Sequence, residues 1–233
     1  MPNVTVLPAG LQVPIHTIFV IGSNYLEDPR DRAEQAGRPP PVCLKPISSV
    51  ILEGEPIRLP SFSECVNFEI ELLVLIGKGG RDIPVDDALS HVLGYGVGLD
   101  LTDRDLHRQA REQGLPWTVC KGFDTAAPMS AFLDASEVPE PQKAGFSLHV
   151  NERLRQRGSA AQMVYSIRRL VHYLSTVFTL QRGDVIYTGT PAGADCLHPG
   201  DRLRLRYLDR VQATFLVGAE PVGSESETIA AQS

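Results

Sequence analysis

The sequence lacks the features that would assign it to a membrane or to nucleic acid. It contains no Lys/Arg-rich block, and its formal net charge is −6, which argues against nucleic acid or an anionic membrane as the main partner. No run approaches about 18 apolar residues, and no basic N-terminal segment precedes an apolar stretch of signal length. The sequence therefore predicts a cytoplasmic globular protein.

Cysteine is scarce and scattered. None of the four residues falls in a CxxC pair; they are Cys43, Cys65, Cys120 and Cys196. In a reducing compartment, this pattern is typical of free, mostly buried thiols. We therefore expect neither a disulfide nor a cysteine metal site.

What the sequence does contain is a strand-rich pattern. The longest strand signal is residues 67–77, NFEIELLVLIG, whose β-branched and large apolar residues predict a central strand. With no repeats and more strand than helix, the chain is expected to be α+β and β-rich, a mixed sheet or β-roll with a few peripheral helices. Residues 17–220 are predicted to form one domain, after an N-terminal extension, 1–16, and before a disordered tail, 221–233.

One helix is marked by signals at both ends. Thr102 and Asp105 fit the N-cap and N3 positions of a capping box, and Gly114 fits a C-cap. The sequence therefore predicts a helix over 102–113.

Carboxylates give the first chemical signal. Glu69 and Glu71 are two residues apart on the predicted central strand, so their side chains share one face. There they repel each other unless a cation neutralises them, or else they protrude into solvent as surface charges. Asp100 ends the next apolar strand and adds a third carboxylate. Three oxygen ligands suit Mg²⁺ or Mn²⁺.

Two further segments are candidates for substrate contacts. Lys121 lies between apolar residues and a glycine, so its ammonium could be partly buried beside the carboxylates, or could lie at the surface. In residues 188–193, TGTPAG, the backbone amides, including that of Gly189, or the Thr190 hydroxyl could bind a carboxylate. Taken alone, this segment is only a tight turn.

Together these segments resemble a known family. NFEIELLVLIGKGG (67–80), GYGVGLDLTDRDL (94–106), GLPWTVCKGFD (114–124) and GDVIYTGTPAG (183–193), with IGSNY (21–25) and LKPISSV (44–50), resemble the fumarylacetoacetate hydrolase superfamily. The likeness is greatest to its single-domain acylpyruvate hydrolases, such as fumarylpyruvate hydrolases. It implies a mixed β-roll of the kind found in the family's C-terminal domain, assembled as a homodimer.

The resemblance also implies roles for individual residues. It makes Glu69, Glu71 and Asp100 the ligands of Mg²⁺ or Mn²⁺. It places Lys121 at the substrate's oxo-acid end and Thr190 at its carboxylate. Lys45 and Arg104 are implied to lie in or near the same pocket.

The chemistry implied is metal-dependent hydrolysis of a small anionic 2,4-dioxo acid. Water attacks the distal carbonyl, and C–C cleavage releases pyruvate as an enolate that the metal and Lys121 stabilise. Such a reaction serves the catabolism of aromatic compounds. Relatives decarboxylate oxaloacetate or tautomerise 2-oxo acids at the same kind of site, so these reactions are alternatives. A metal-binding homologue without catalysis is a second alternative.

The segment after Tyr25 departs from the family pattern. Hydrolytic relatives carry a histidine and, three residues later, a glutamate on a mobile lid that activates water; here those positions are Asp28 and Asp31. Asp28 followed by Pro29 is also a helix-start signal, which would commit its carboxylate to backbone amides. Alternatively, Asp28 serves as the base, or His107, which stands where close relatives have glutamine, replaces the missing histidine.

Overall fold

The computed structural model of the protein describes residues 1–208 and 211–218. The strands are β1 (Asn3–Leu7), β2 (Leu11–Pro14), β3 (Ile18–Ile21), β4 (Val42–Lys45), β5 (Val50–Leu52), β6 (Val66–Phe68), β7 (Ile70–Ile76), β8 (Val92–Leu99), β9 (Thr102–Asp103), β10 (Ala127–Met129), β11 (Phe132–Asp134), β12 (Gly145–Val150), β13 (Arg153–Ser159), β14 (Val185–Tyr187), β15 (Asp195–Cys196), β16 (Arg202–Tyr207) and β17 (Val211–Leu216). The predicted tail, 221–233, lies outside the described residues.

Helices are few and lie between strands. The α-helices are α1 (Pro29–Ala36), α2 (Arg104–Gln113), α3 (Thr118–Lys121) and α4 (Ile167–Val177). Short 3-10 helices cover Ile47–Ser49, Val85–His91, Ala135–Glu137, Pro141–Lys143 and Ala160–Gln162. Within the part of the chain that the structure describes, no helix is both long enough and apolar enough to cross a lipid bilayer.

A ten-stranded mixed sheet forms the centre of the fold. Its main path runs β2-β1-β11-β8-β7-β14-β3-β4; β10 pairs with β8, and β5 pairs with β10. β7 is buried along its whole length, because its alternating side chains pack into core clusters on both faces of the sheet. The predicted α+β, β-rich architecture and the central position of this strand are confirmed. The N-terminal residues set apart by the sequence supply β1 and β2 of the same sheet.

A four-stranded sheet, β13-β12-β16-β17, packs against this centre. Its β12–β13 hairpin turns at Asn151 and Glu152, which both have positive φ, as a two-residue type I′ turn requires. Apolar residues of β12, β16 and β17 alternate with polar ones and face the shared core. The two sheets thus enclose one contiguous apolar core.

A three-stranded sheet, β15-β6-β9, leads into the polar centre and contains a disulfide. Cys65, next to β6, is bonded to Cys196 of β15, with 5.3 Å between their Cα atoms. The expectation of four free thiols is therefore wrong for this pair, while Cys43 and Cys120 are free. The two bonded cysteines are 131 residues apart, so their proximity comes only from strand pairing.

The N-cap of helix α2 lies one residue later than predicted. Asp103, not Thr102, is the N-cap, and its Oδ1 accepts a hydrogen bond from the Leu106 amide at 2.8 Å. Thr102 instead pairs in β9. Gly114 has φ of 68° and ends the helix as predicted.

Candidate metal centre

Three carboxylates meet where β6, β7 and β8 adjoin. Glu69 precedes β7 and Glu71 lies within it, so the two side chains share a face. Asp100 follows β8, and its amide donates to the Glu69 carbonyl at 2.9 Å because the two strands pair in antiparallel register up to this point. One carboxylate oxygen from each residue lies within 4.8 Å of the others. The three side chains therefore form a candidate metal site.

Glu71 is held by the turn that follows β14. The Gly189 amide donates to Glu71 Oε2 at 2.6 Å, and both groups are buried. Gly189 has φ of 100°, and a Cβ there would lie 2.8 Å from the Asn24 Cβ, so the turn needs glycine. The role of this amide as a substrate contact stays a prediction; in the structure it donates to Glu71.

Lys45 lies behind the cluster rather than in the cavity. Its side chain is fully buried, with Nζ 2.7 Å from Asp100 Oδ1. Its ammonium also donates to the carbonyls of Leu101 and Ala126, each at 3.0 Å, and to that of Lys121. Three carbonyl acceptors match the three N–H groups of a charged lysine. The implied position of Lys45 in or near the pocket stays a prediction; in the structure its ammonium donates to these three carbonyls and lies against Asp100.

Lys121, the last residue of α3, is the lysine that faces the cavity. Its Nζ donates to Asp100 Oδ2 and lies 3.1 Å from Glu69 Oε2. Burial alone would lower the pKa of Lys121, but the carboxylates of Asp100 and Glu69 outweigh burial and raise it above its ordinary value. Lys121 is therefore a permanent positive charge beside the carboxylates.

The buried carboxylates favour binding of a cation. Burial, together with the Asp100 charge, raises the pKa of Glu71 above its ordinary range, and burial does the same for Glu69. Burial also opposes ionisation of Asp100, but Lys121 and Lys45 hold its pKa below the usual value. With every group in its ordinary charged form, the three carboxylates and two ammonium groups sum to −1, and a bound cation would offset the burial that opposes ionisation of Glu69 and Glu71.

The donor set fits a divalent cation. Asp100 Oδ1 is buried, and its ionic partner among the described residues is the Lys45 ammonium, 2.7 Å away. That oxygen keeps a lone pair available. An all-oxygen donor set of three carboxylates is one that Mg²⁺ and Mn²⁺ accept, with other positions left for water or substrate oxygens.

A cavity of about 440 Å³ opens over the three carboxylates. Its wall includes three residues that the sequence analysis singled out: Lys121, Thr190 and His107. Thr190 donates its hydroxyl hydrogen to the Ile70 carbonyl at 2.8 Å and accepts from Gln156 at 3.0 Å. Its hydroxyl is therefore oriented by the protein itself.

His107 of α2 brings an imidazole to this cavity. Its Nε2 is buried and has no hydrogen-bond partner among the described residues. The ring packs edge-to-face against Trp117, with 4.8 Å between ring centroids. Arg104, at the start of the same helix, lines a neighbouring cavity of about 530 Å³ that His107 also borders.

Asp28 does not lie in the cavity wall. It is the N-cap of α1, where Oδ1 accepts from the Arg30 amide at 2.8 Å and Oδ2 pairs with the Arg30 guanidinium at 2.8 Å. The hydrogen bonds from Arg30 hold the pKa of Asp28 below its usual value. The structure thus supports the helix-cap interpretation over the catalytic one, while a role for Asp28 as a base stays a prediction.

Sequence reasoning missed several residues of the cavity wall, among them Trp117, Tyr25 and Arg111. Trp117 and Tyr25 lie within quoted motifs, and Tyr25 has a buried hydroxyl without a hydrogen-bond partner among the described residues. Arg111 lies four residues after His107, on the same face of α2. That spacing was the available signal for Arg111.

Comparison with known proteins places this site in a family. Residues 17–217 match the model described as fumarylacetoacetate (FAA) hydrolase, C-terminal, and the chain belongs to this enzyme family.

Its solved and curated relatives include enzymes with different reactions. The crystal structure of fumarylpyruvate hydrolase from Pseudomonas aeruginosa, in complex with Mn²⁺ and pyruvate, superposes with a TM-score of 0.86 and 36% identity, covering 94% of this chain and 96% of that one. The human mitochondrial oxaloacetate tautomerase is 36% identical over 86% of this chain and 90% of its own length. The mitochondrial oxaloacetate decarboxylase of Dictyostelium discoideum is 36% identical over 80% and 86%.

Proposed function

We propose that this chain is a divalent-metal-dependent hydrolase that cleaves a C–C bond in a short acylpyruvate such as fumarylpyruvate. The observation that carries the proposal is the content of one cavity, which joins the carboxylate cluster, a charged lysine and an imidazole nitrogen without a partner. The likeness to a fumarylpyruvate hydrolase seen with Mn²⁺ and pyruvate supports both the substrate class and the cofactor, Mg²⁺ or Mn²⁺.

Glu69, Glu71 and Asp100 would hold the cation. When bound, it polarises the oxygens of a 2-oxo acid and stabilises negative charge that develops on them. Lys121 would orient the same end of the substrate, since its ammonium is fixed by Asp100 and Glu69 and stays charged. Thr190, with a hydroxyl already oriented, would border the substrate carboxylate.

His107 is the proposed water-activating base. Burial, and then the charges of Lys121 and Arg111, lower the pKa of His107 below 6.5, so its imidazole is neutral at pH 7. Its Nε2 would accept a proton from the water that attacks the distal carbonyl. The Trp117 ring limits how far the imidazole can turn.

A second candidate is tautomerisation or decarboxylation of oxaloacetate. The location of Asp28 favours it, because a carboxylate committed to capping α1 leaves the lid without the base that hydrolytic relatives use. The oxaloacetate tautomerase and decarboxylase among the relatives also support it. These reactions need a proton moved next to a carbonyl, or CO₂ released, but no activated water.

A substrate panel with Mg²⁺ separates these functions. Acylpyruvates are followed by loss of their diketo absorbance, and oxaloacetate by enol–keto conversion and CO₂ release. We expect turnover of an acylpyruvate. Turnover of oxaloacetate alone would replace the first candidate by the second. Turnover of neither, by protein shown to bind the metal, would refute both and favour a metal-binding homologue without catalysis.

Assembly and location belong to the same proposal. We expect a homodimer, which light scattering of the purified protein would test. We also expect a cytoplasmic location, although the human relative is mitochondrial. Microscopy of the tagged protein in its native cell, or cell fractionation, would test that expectation.

A further inference from the structure

Helix α2 turns one face toward the substrate cavity. Arg104, His107, Arg108 and Arg111 are spaced so that they share this face. Two of them, His107 and Arg111, line the cavity over the carboxylates and also border the neighbouring cavity of about 530 Å³. The helix rises about 1.5 Å per residue, which carries Arg111 about 10 Å along the axis from Arg104.

Arg111 differs from Arg108 in having no partner. Arg108, which borders the neighbouring cavity, pairs with Asp105 at 2.8 Å. The Arg111 guanidinium forms no hydrogen bond or ion pair with any residue that the structure describes, although Glu112 lies in the wall of the same neighbouring cavity. The donors of this exposed guanidinium are therefore available to an anionic group bound in the cavity.

With a divalent cation bound, the charged groups around the cavity carry an excess of positive charge. The three carboxylates, Lys45 and Lys121 leave one net negative charge, and a divalent cation changes this to one net positive charge. Arg111 adds a second positive charge in the same wall. A single carboxylate on the substrate would balance only one of them. A second anionic group on the substrate could pair with Arg111, because a guanidinium binds a carboxylate through two parallel hydrogen bonds.

We propose that Arg111 determines substrate specificity by binding a second carboxylate, at the end of the substrate remote from the metal centre. This inference rests on the proposed function for the location of the oxo-acid end. Arg111 is then the residue that selects a dicarboxylic substrate over a monocarboxylic one of equal length.

The test compares the affinity of two acids that differ only at the far end. 2-Oxoadipate and 2-oxohexanoate have the same six-carbon chain and the same 2-oxo-acid group, but the second ends in a methyl group. Neither has a 4-oxo group, so neither can undergo the proposed cleavage. Their dissociation constants are measured by calorimetry on Mg²⁺-loaded wild type, Arg111→Gln and Arg153→Gln. Arg153 is an exposed arginine on the distant β12–β13 hairpin, so its variant controls for net charge.

We expect wild type and Arg153→Gln to bind 2-oxoadipate about tenfold or more tightly than 2-oxohexanoate, since a charged hydrogen-bonded pair commonly contributes that much. In Arg111→Gln the ratio should fall to near one, with the affinity for 2-oxohexanoate unchanged. Equal affinities in wild type, binding of neither acid, or a preference that survives in Arg111→Gln would overturn the inference. The substrate panel reports separately on the proposed function, because the affinity ratio does not depend on turnover.

Discussion

Replacing Lys45 by methionine tests how the carboxylate cluster is held in place. Lys45→Met keeps the side-chain volume but removes the ammonium from a fully buried position. Asp100 loses the charge 2.7 Å away, and the Leu101 and Ala126 carbonyls lose donors at 3.0 Å. Breaking a buried ion pair in this way costs about 3–5 kcal/mol. For a chain of this size, the melting temperature should fall by roughly 6–20 °C.

The assay is thermal unfolding of the metal-free protein, with Lys143→Met as the matched control. Lys143 makes an exposed ion pair with Glu140, with side chains 73% and 65% exposed. Its removal should change the free energy of unfolding by about 0.5 kcal/mol or less. If Lys45→Met melted at the same temperature as Lys143→Met, Lys45 would not hold Asp100 as argued above.

Three further variants test other parts of the site. His107→Gln should lower kcat by about a hundredfold or more, and it should abolish the loss of kcat/KM that wild type shows as the pH falls through the His107 pKa, below 6.5. The control, Asp28→Asn, should change neither kcat nor this pH dependence. Equal rates in wild type and His107→Gln would exclude His107 as the base. Cys196→Ser removes the disulfide between residues 131 apart and should lower the free energy of unfolding by about 2–5 kcal/mol. A reductant should destabilise wild type but not this variant. Gly189→Ala places a Cβ 2.8 Å from the Asn24 Cβ, so the turn must shift and displace the amide that orients Glu71. Calorimetry should then show Mn²⁺ binding weakened by about 10–100-fold. Unchanged affinity would show that this amide is dispensable.

Features that depend on neighbouring residues in the chain were predictable from the sequence. The apolar run of β7 predicted a central strand, and the spacing of Glu69 and Glu71 predicted a shared face. Gly114 predicted the end of α2, because only a residue that tolerates positive φ ends a helix in this way. The start of α2 was placed one residue early, since Thr102 and Asp103 are both good N-caps and only the pairing of Thr102 in β9 decides between them.

Features that depend on distant strands were not predictable. The antiparallel pairing of β15 with β6 brings Cys196 to Cys65, and no spacing in the chain indicates it. Lys45 lies at the end of β4, and its complete burial follows from the strands and loops packed around it. Arg111 looks like any exposed helical arginine until the cavity is known.

The central claim is that Glu69, Glu71 and Asp100 bind one divalent cation, and calorimetric titration of Mn²⁺ into wild type and Glu71→Gln tests it most directly. Glutamine keeps an oxygen that can accept the Gly189 hydrogen bond, so the variant removes charge with little change of shape. We predict one Mn²⁺ per wild-type chain and an affinity lower by about a hundredfold or more in the variant, since changes outside the ligand shell alone cost about 10–100-fold. Equal affinity in the two proteins would contradict the claim.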